Sequence, residues 1–163
     1  MNVLLCVTCG TRLTEPVRRL DEMSGYPGWD GLPGPDGRRH GPPSVPRGTY
    51  AVDPLPSGPP FRPADPDAEY DGVVPGGRWM SDERGFLVSE GPRGTYVLHP
   101  DDVVHTGPHP DPRRLSGCCG LDGHRGANHV CGCGAEVAIV CTDCCSGYET
   151  RLVPDAVRVE AAP

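Results

Sequence analysis

Nine cysteines stand at two ends of the chain: Cys6 and Cys9 in "CVTCG", and seven more within "CCGLDGHRGANHVCGCGAEVAIVCTDCC", from Cys118 to Cys145. Thiols grouped in this way can ligate a metal, form disulfides, cycle between redox states or fill a core. The spacing favours metal. Two cysteines one to four residues apart reach one ion if the backbone turns between them, and tetrahedral thiolate coordination asks for sulfurs about 2.3 Å from the ion. A glycine after the second cysteine supports that turn, because it tolerates positive φ and leaves N–H groups free to point at sulfur. "C-V-T-C-G" at 6–10 and "C-G-C-G" at 131–134 have this form. "C-T-D-C" at 141–144 is a third pair, and the doublet Cys118–Cys119 supplies at least one ligand more. Adjacent residues rarely bind the same ion comfortably, so the members of the doublet are expected to differ in role.

These paired knuckles resemble the zinc-ribbon family, over Cys6–Gly10 and residues 117–145. The resemblance implies two β-hairpin turns, far apart in sequence, that meet at one Zn2+. The family pattern is two C-x-x-C pairs; here C-x-C replaces one pair, and there are extra cysteines. Three closures follow. Cys6 and Cys9 can meet Cys131 and Cys133, joining the two ends of the chain. They can instead meet Cys141 and Cys144. Or Cys119, Cys131, Cys133 and Cys144 can form a local site while the N-terminal pair finds other partners. Cys6, Cys9, Cys119, Cys131, Cys133 and Cys144 are thus the expected ligands, for one or two zinc ions, with His124 and His129 as possible replacements for a thiolate. Cys145 is expected to be a core residue.

The rival uses of thiol are less well served. Cytosolic thiols stay reduced, and the start, "MNVLLCVTCG", has at most five apolar residues in a row and no basic segment before them, so it does not read as a signal peptide. A cytoplasmic location is expected. A redox C-x-x-C wants a helix N-terminus behind it to lower the thiol pKa, whereas "CVTCGTRLT" continues into β-formers. His99, His105 and His109, with Asp101, Asp102 and Asp111, offer hard ligands, but the segment "HPDDVVHTGPHPDP" has four prolines and no template spacing, and is read as a solvated loop. No G-x-S-x-G, P-loop, H-E-x-x-H or G-x-G-x-x-G is present, nor the H-x-E and P-C-x-x-C of zinc deaminases. No catalytic residue is assigned; a zinc enzyme would need a coordination position held by water.

The elements that must position these thiols are short and mostly β. All fifteen basic residues are Arg, and Gly plus Pro make 44 of 163 residues. That bias reads as the codon usage of a GC-rich genome, such as an actinobacterium's. Ile, Leu, Val and Phe number 31, fewer than one residue in five, so the apolar core is at the edge of what offsets chain entropy. Residues 1–14 read as strand, knuckle, strand. "EPVRRLDEM" at 15–23 is expected to form two helical turns. Residues 24–45 and 53–76 read as irregular loops. Residues 77–99 parse as a three-stranded meander within a β-meander unit spanning 46–105. "PRGTYAVDP" at 46–54 and "PRGTYVLHP" at 92–100 echo each other, which predicts two similar strands entered by similar turns. "AEVAIVC" at 135–141 and "YETRLV" at 148–153 read as paired strands, and "PDAVRVE" at 154–160 as a helical turn or a strand. The expected fold is one small, mostly β domain with extensive Gly/Pro-rich loops, in which 1–23 and 113–160 form a metal-binding module that staples the termini.

The net charge of −7 falls wholly within residues 53–111, which hold eleven acids and four Arg. An acidic chain repels phosphate backbones, so nucleic-acid binding is not expected, and no run of about 18 apolar residues predicts a membrane span. The expected role is a protein–protein interaction or accessory module built around structural zinc. An immunity-type protein that neutralises a basic partner, and a thiol-based redox or metal sensor, are the alternatives.

Overall fold

The structure is a computed structural model that describes residues 1–23, 29, 31–67, 81–144 and 146–163. Among these the chain is mostly β, with no α-helix. Twelve short strands follow in order: β1 (Asn2–Cys6), β2 (Arg18–Arg19), β3 (Thr49–Asp53), β4 (Phe61–Pro63), β5 (Ser81–Asp82), β6 (Gly85–Ser89), β7 (Thr95–Leu98), β8 (Thr106–Pro108), β9 (His129–Cys131), β10 (Glu136–Cys141), β11 (Glu149–Leu152) and β12 (Val157–Ala161). Three single 3-10 turns, at Pro100–Asp102, Pro112–Arg114 and Pro154–Ala156, each begin on proline, whose fixed φ suits a first helical position and whose missing N–H is not needed there.

Seven strands form the main sheet, in the order β2-β3-β7-β11-β10-β9-β8. β1 and β12 form a separate antiparallel ribbon, with Asn2 opposite Ala161 and Cys6 opposite Val157. β4, β6 and β5 make a small third sheet. One apolar cluster joins the ribbon to the main sheet: Leu4, Cys6 and Val157 from the ribbon meet Tyr50, Leu98, Cys131, Val137, Ala138 and Leu152 from the sheet, with Leu13 and Val17 closing one side. Cys6 and Cys131 belong to this core, so the thiol knuckles are anchored in the best-packed part of the molecule.

The repeated P-R-G-T-Y segments become direct neighbours. β3 and β7 pair antiparallel, with Tyr50 opposite Leu98 and Asp53 opposite Thr95, and each is entered through a glycine in the left-handed region, Gly48 at φ 77° and Gly94 at φ 73°. "AEVAIVC" and "YETRLV" pair as expected, as β10 and β11. Residues 154–160 supply both a 3-10 turn and most of β12.

Three expectations are corrected. "EPVRRLDEM" is extended: Val17 bridges Asn2 and is fully buried, while Arg18 and Arg19 run parallel to Thr49 and Tyr50. Burying Val17 and pairing the backbone outweigh a weak intrinsic helix preference. Within 53–76, Phe61–Pro63 forms β4 against β6, an edge position where Pro63 loses no ladder bond. The meander at 77–99 keeps only its first hairpin, β5–β6; its third strand, β7, leaves to sit between β3 and β11 in the main sheet. Residues 77–80 lie outside the described residues.

A charged link braces the middle of the sheet. The Arg151 side chain, 14% exposed, donates from Nη1 to Asp53 Oδ2 at 2.6 Å and to Thr95 Oγ1 at 3.2 Å, and from Nε to Glu149. Asp53 and Glu149 are both buried. The two carboxylates hold the guanidinium charged against the cost of its burial and raise its pKa above the ordinary value.

Candidate metal centre

Cys6 ends β1 and Cys131 ends β9; each opens a tight turn that carries a second cysteine outward and closes on a glycine. Gly10 sits at φ 75° and Gly134 at φ 89°. Both turns close with the same pair of backbone bonds. The glycine N–H returns to the carbonyl of the first cysteine, Gly10 to Cys6 and Gly134 to Cys131, each at 2.8 Å. The N–H of the first cysteine donates beyond the glycine, Cys6 to Thr11 and Cys131 to Ala135, each at 2.9 Å. The C-x-C knuckle is therefore the C-x-x-C knuckle shortened by one residue with its closing bonds kept, which explains how one can face the other across a single ion.

The four sulfurs of Cys6, Cys9, Cys131 and Cys133 all lie within 4.8 Å of one another. Cys6 Sγ is 3.8 Å from Cys133 Sγ, and Cys9 Sγ is 3.5 Å from Cys131 Sγ. A tetrahedron with arms of about 2.3 Å has edges of about 3.8 Å. A disulfide needs about 2.0 Å, and all four cysteines are free. This is the geometry of a mononuclear tetrathiolate site, and the group can hold one metal ion. Of the three closures open to the sequence, the structure adopts the one that joins the two ends of the chain.

The site is graded in depth. Cys6 and Cys131 are buried, whereas Cys9 and Cys133 are exposed. Burial pushes the Cys131 thiol up to about 11. The Thr11 side chain, 3.2 Å away, and the Thr11 backbone pull Cys9 down to about 6. Ligation requires thiolates, so proton release accompanies metal binding at this cluster.

Cys119 and Cys144, the other two expected ligands, do not join this group. They lie with Cys118 in a second cluster whose three sulfurs are also within 4.8 Å of one another. Cys118 and Cys119 stand 3.8 Å apart at Sγ, so adjacent residues do aim at one point, against expectation. The cause is local. Asp143, 2% exposed, accepts at Oδ2 from the backbone N–H groups of Cys118 at 2.6 Å, Cys119 at 2.8 Å and Gly120 at 3.2 Å. Three successive N–H groups wrapped on one carboxylate form a nest, which curls the doublet and turns both sulfurs the same way. The curl also needs Gly120, where an added Cβ would stand 2.5 Å from the Thr142 carbonyl oxygen. The signal for Cys118 was the doublet itself, since a doublet in a glycine-flanked turn can present both thiols.

Cys141 is a core residue. It is buried, its Sγ is 3.7 Å from the Asp122 carbonyl, and burial pushes its thiol up to about 12. Cys145 lies outside the described residues. Neither His124 nor His129 joins a ligand group; His124 Nδ1 is 3.7 Å from Asp122, and His129 Nδ1 is 3.1 Å from the Thr106 hydroxyl. The hard-ligand set does not assemble among the described residues. His99 Nδ1 caps the Pro100–Asp102 turn by accepting from the Asp101 N–H, and His109 Nε2 pairs with Glu136 at 3.0 Å. No described helix is long and apolar enough to cross a membrane. No family model matches this chain, and no curated protein or solved structure matches it either.

Proposed function

We propose that Cys6, Cys9, Cys131 and Cys133 hold one structural Zn2+ that ties the terminal ribbon to the main sheet, and that the protein so held is an accessory module that binds another protein. The observation that carries the metal is the mutual approach of four sulfurs at tetrahedral spacing. Four thiolates around one ion favour zinc among common divalent metals, and a closed four-protein-ligand sphere leaves no position for a reactive water, which favours a structural role over a catalytic one. A cytoplasmic location keeps such thiols reduced. Structural zinc in small modules contributes on the order of 10 kcal/mol, comparable to the whole stability of a typical domain. Native mass spectrometry and thermal melts of the reduced protein, with and without chelator, test this. Zinc retained in the native state and a melt that drops steeply on chelation are expected. A transition-metal-free protein, or a cooperative melt at unchanged temperature after stripping, overturns the reading.

The partner reading draws on charge and one exposed aromatic. Phe86, 62% exposed, stands on β6 inside the acidic span 53–111, near Glu83 and near Asp82 and Glu90, which pair with Arg84 and Arg62. An apolar anchor in acidic surroundings suits a basic protein surface; an immunity-type protein is one instance. Photo-crosslinking from position 86 in cells is expected to capture one basic protein, and Glu83→Arg with Glu90→Arg is expected to abolish capture. Capture indifferent to charge reversal contradicts the proposal.

A further inference from the structure

We propose that Cys118, Cys119 and Cys144 form a second, solvent-open site for one soft thiophilic cation of the Cu(I) type, separate from the four-thiolate centre. Three features of the structure converge on it. The three sulfurs lie within 4.8 Å of one another, and Cys118 Sγ stands 3.8 Å from Cys119 Sγ. Thiolates around an ion at about 2.3 Å sit about 4 Å apart, so the cluster is spaced to share a single ion.

The second feature is composition. All three clustered ligand atoms are thiol sulfurs, and soft thiolate surroundings select a soft d10 cation. The third feature is preorganisation. The buried Asp143 carboxylate gathers the backbone N–H groups of Cys118, Cys119 and Gly120, and Leu121 O accepts from Thr142 N at 2.8 Å and Asp143 N at 3.1 Å. These bonds lock the 117–121 loop to the segment that bears Cys144. The backbone donors of the doublet are thereby used on Asp143 Oδ2, while Cys144 Sγ lies 3.5 Å from Oδ1 of the same carboxylate, so one side chain positions all three thiol-bearing residues. Cys118 and Cys119 are exposed, so an ion can enter and leave without unfolding. Binding involves no electron transfer: thiols that ligate release their protons to solvent, and the cation keeps its oxidation state.

The inference does not rest on zinc at the other centre. Protein purified anaerobically with zinc would be titrated with Cu(I) buffered by bicinchoninate and read by native mass spectrometry and ultraviolet thiolate-to-copper charge transfer. The wild type is expected to take up one copper per chain and to keep its zinc. Cys118→Ser/Cys119→Ser/Cys144→Ser is expected to take up none while keeping zinc and the wild-type melt; Cys118→Ser/Cys119→Ser, at two exposed positions and leaving a single thiol of the cluster, gives the same readout if the triple variant folds poorly. Copper uptake that survives these substitutions overturns the site. So does copper that displaces zinc from the first centre while these thiols stay free, and so does a Cys118–Cys119 disulfide in the anaerobic protein that takes no metal. A zinc-free preparation that still binds copper through these three thiols would sink the structural-zinc reading and leave this one standing.

Discussion

The two thiol clusters are built from different materials. The four-cysteine group rests on two strand ends, with Cys6 and Cys131 inside the main core and glycine-closed turns lifting Cys9 and Cys133 over them. The three-cysteine group rests on a loop held by one buried carboxylate, with two of its sulfurs open to water. In the first, two of the proposed ligands are core residues, so loss of the proposed ion would disturb the packing between ribbon and sheet. In the second, the proposed ligands hang outside the core, so an ion bound there could come and go while the fold stays. If both proposed sites are filled, depth would separate a metal that the fold depends on from a metal that the fold merely presents.

Substitutions of graded size can break or sharpen that contrast. The largest effect is expected at the buried ligands: Cys131→Ser or Cys6→Ser should remove the zinc and its stabilisation, on the order of 10 kcal/mol, and abolish the cooperative transition in a thermal melt. Next comes a control that leaves both clusters intact. Arg151→Met strands the buried carboxylates of Asp53 and Glu149 without a counter-charge, with a loss of about 3–5 kcal/mol in denaturant unfolding and no change in metal count by mass spectrometry. If Arg151→Met also empties the four-cysteine group, metal loss merely tracks unfolding and the contrast fails. Asp143→Ala removes one acceptor from three N–H groups, which should cost about 2 kcal/mol and weaken copper uptake while zinc is retained. The smallest is Gly134→Ala. Open space surrounds the added methyl, so the whole cost is that of holding alanine at positive φ, about 1 kcal/mol; the melt should shift by a few degrees with the zinc still bound.

The cysteine spacing made the first group legible before any fold was known. A C-x-x-C and a C-x-C, each followed by glycine, specify turns whose chemistry is local, and only their meeting required tertiary information. Strands β10 and β11 were legible for the same reason, as runs of β-formers. The second group was half hidden. Nothing in the sequence says that Asp143 will reach back to residues 118–120, and without that carboxylate the doublet has no reason to aim both sulfurs one way. The terminal segment 15–23 misled because its helix preference is weak and its fate is set by Val17, which fills the core from an extended backbone. The β5–β6–β7 run misled because local turn signals are silent on which sheet receives a strand.

The antiparallel ribbon has a mechanical consequence. Asn2 lies opposite Ala161, and the far end of the ribbon is Cys6 opposite Val157. A load pulling residues 2 and 161 apart would unzip the ribbon rung by rung, each bond breaking alone and at low force. The tear would then arrive at Cys6, where, in the zinc-bound form proposed above, the next link is coordinate rather than hydrogen-bonded. Single-molecule extension should therefore show soft early yielding followed by one abrupt rupture, and chelator should erase the second event while sparing the first.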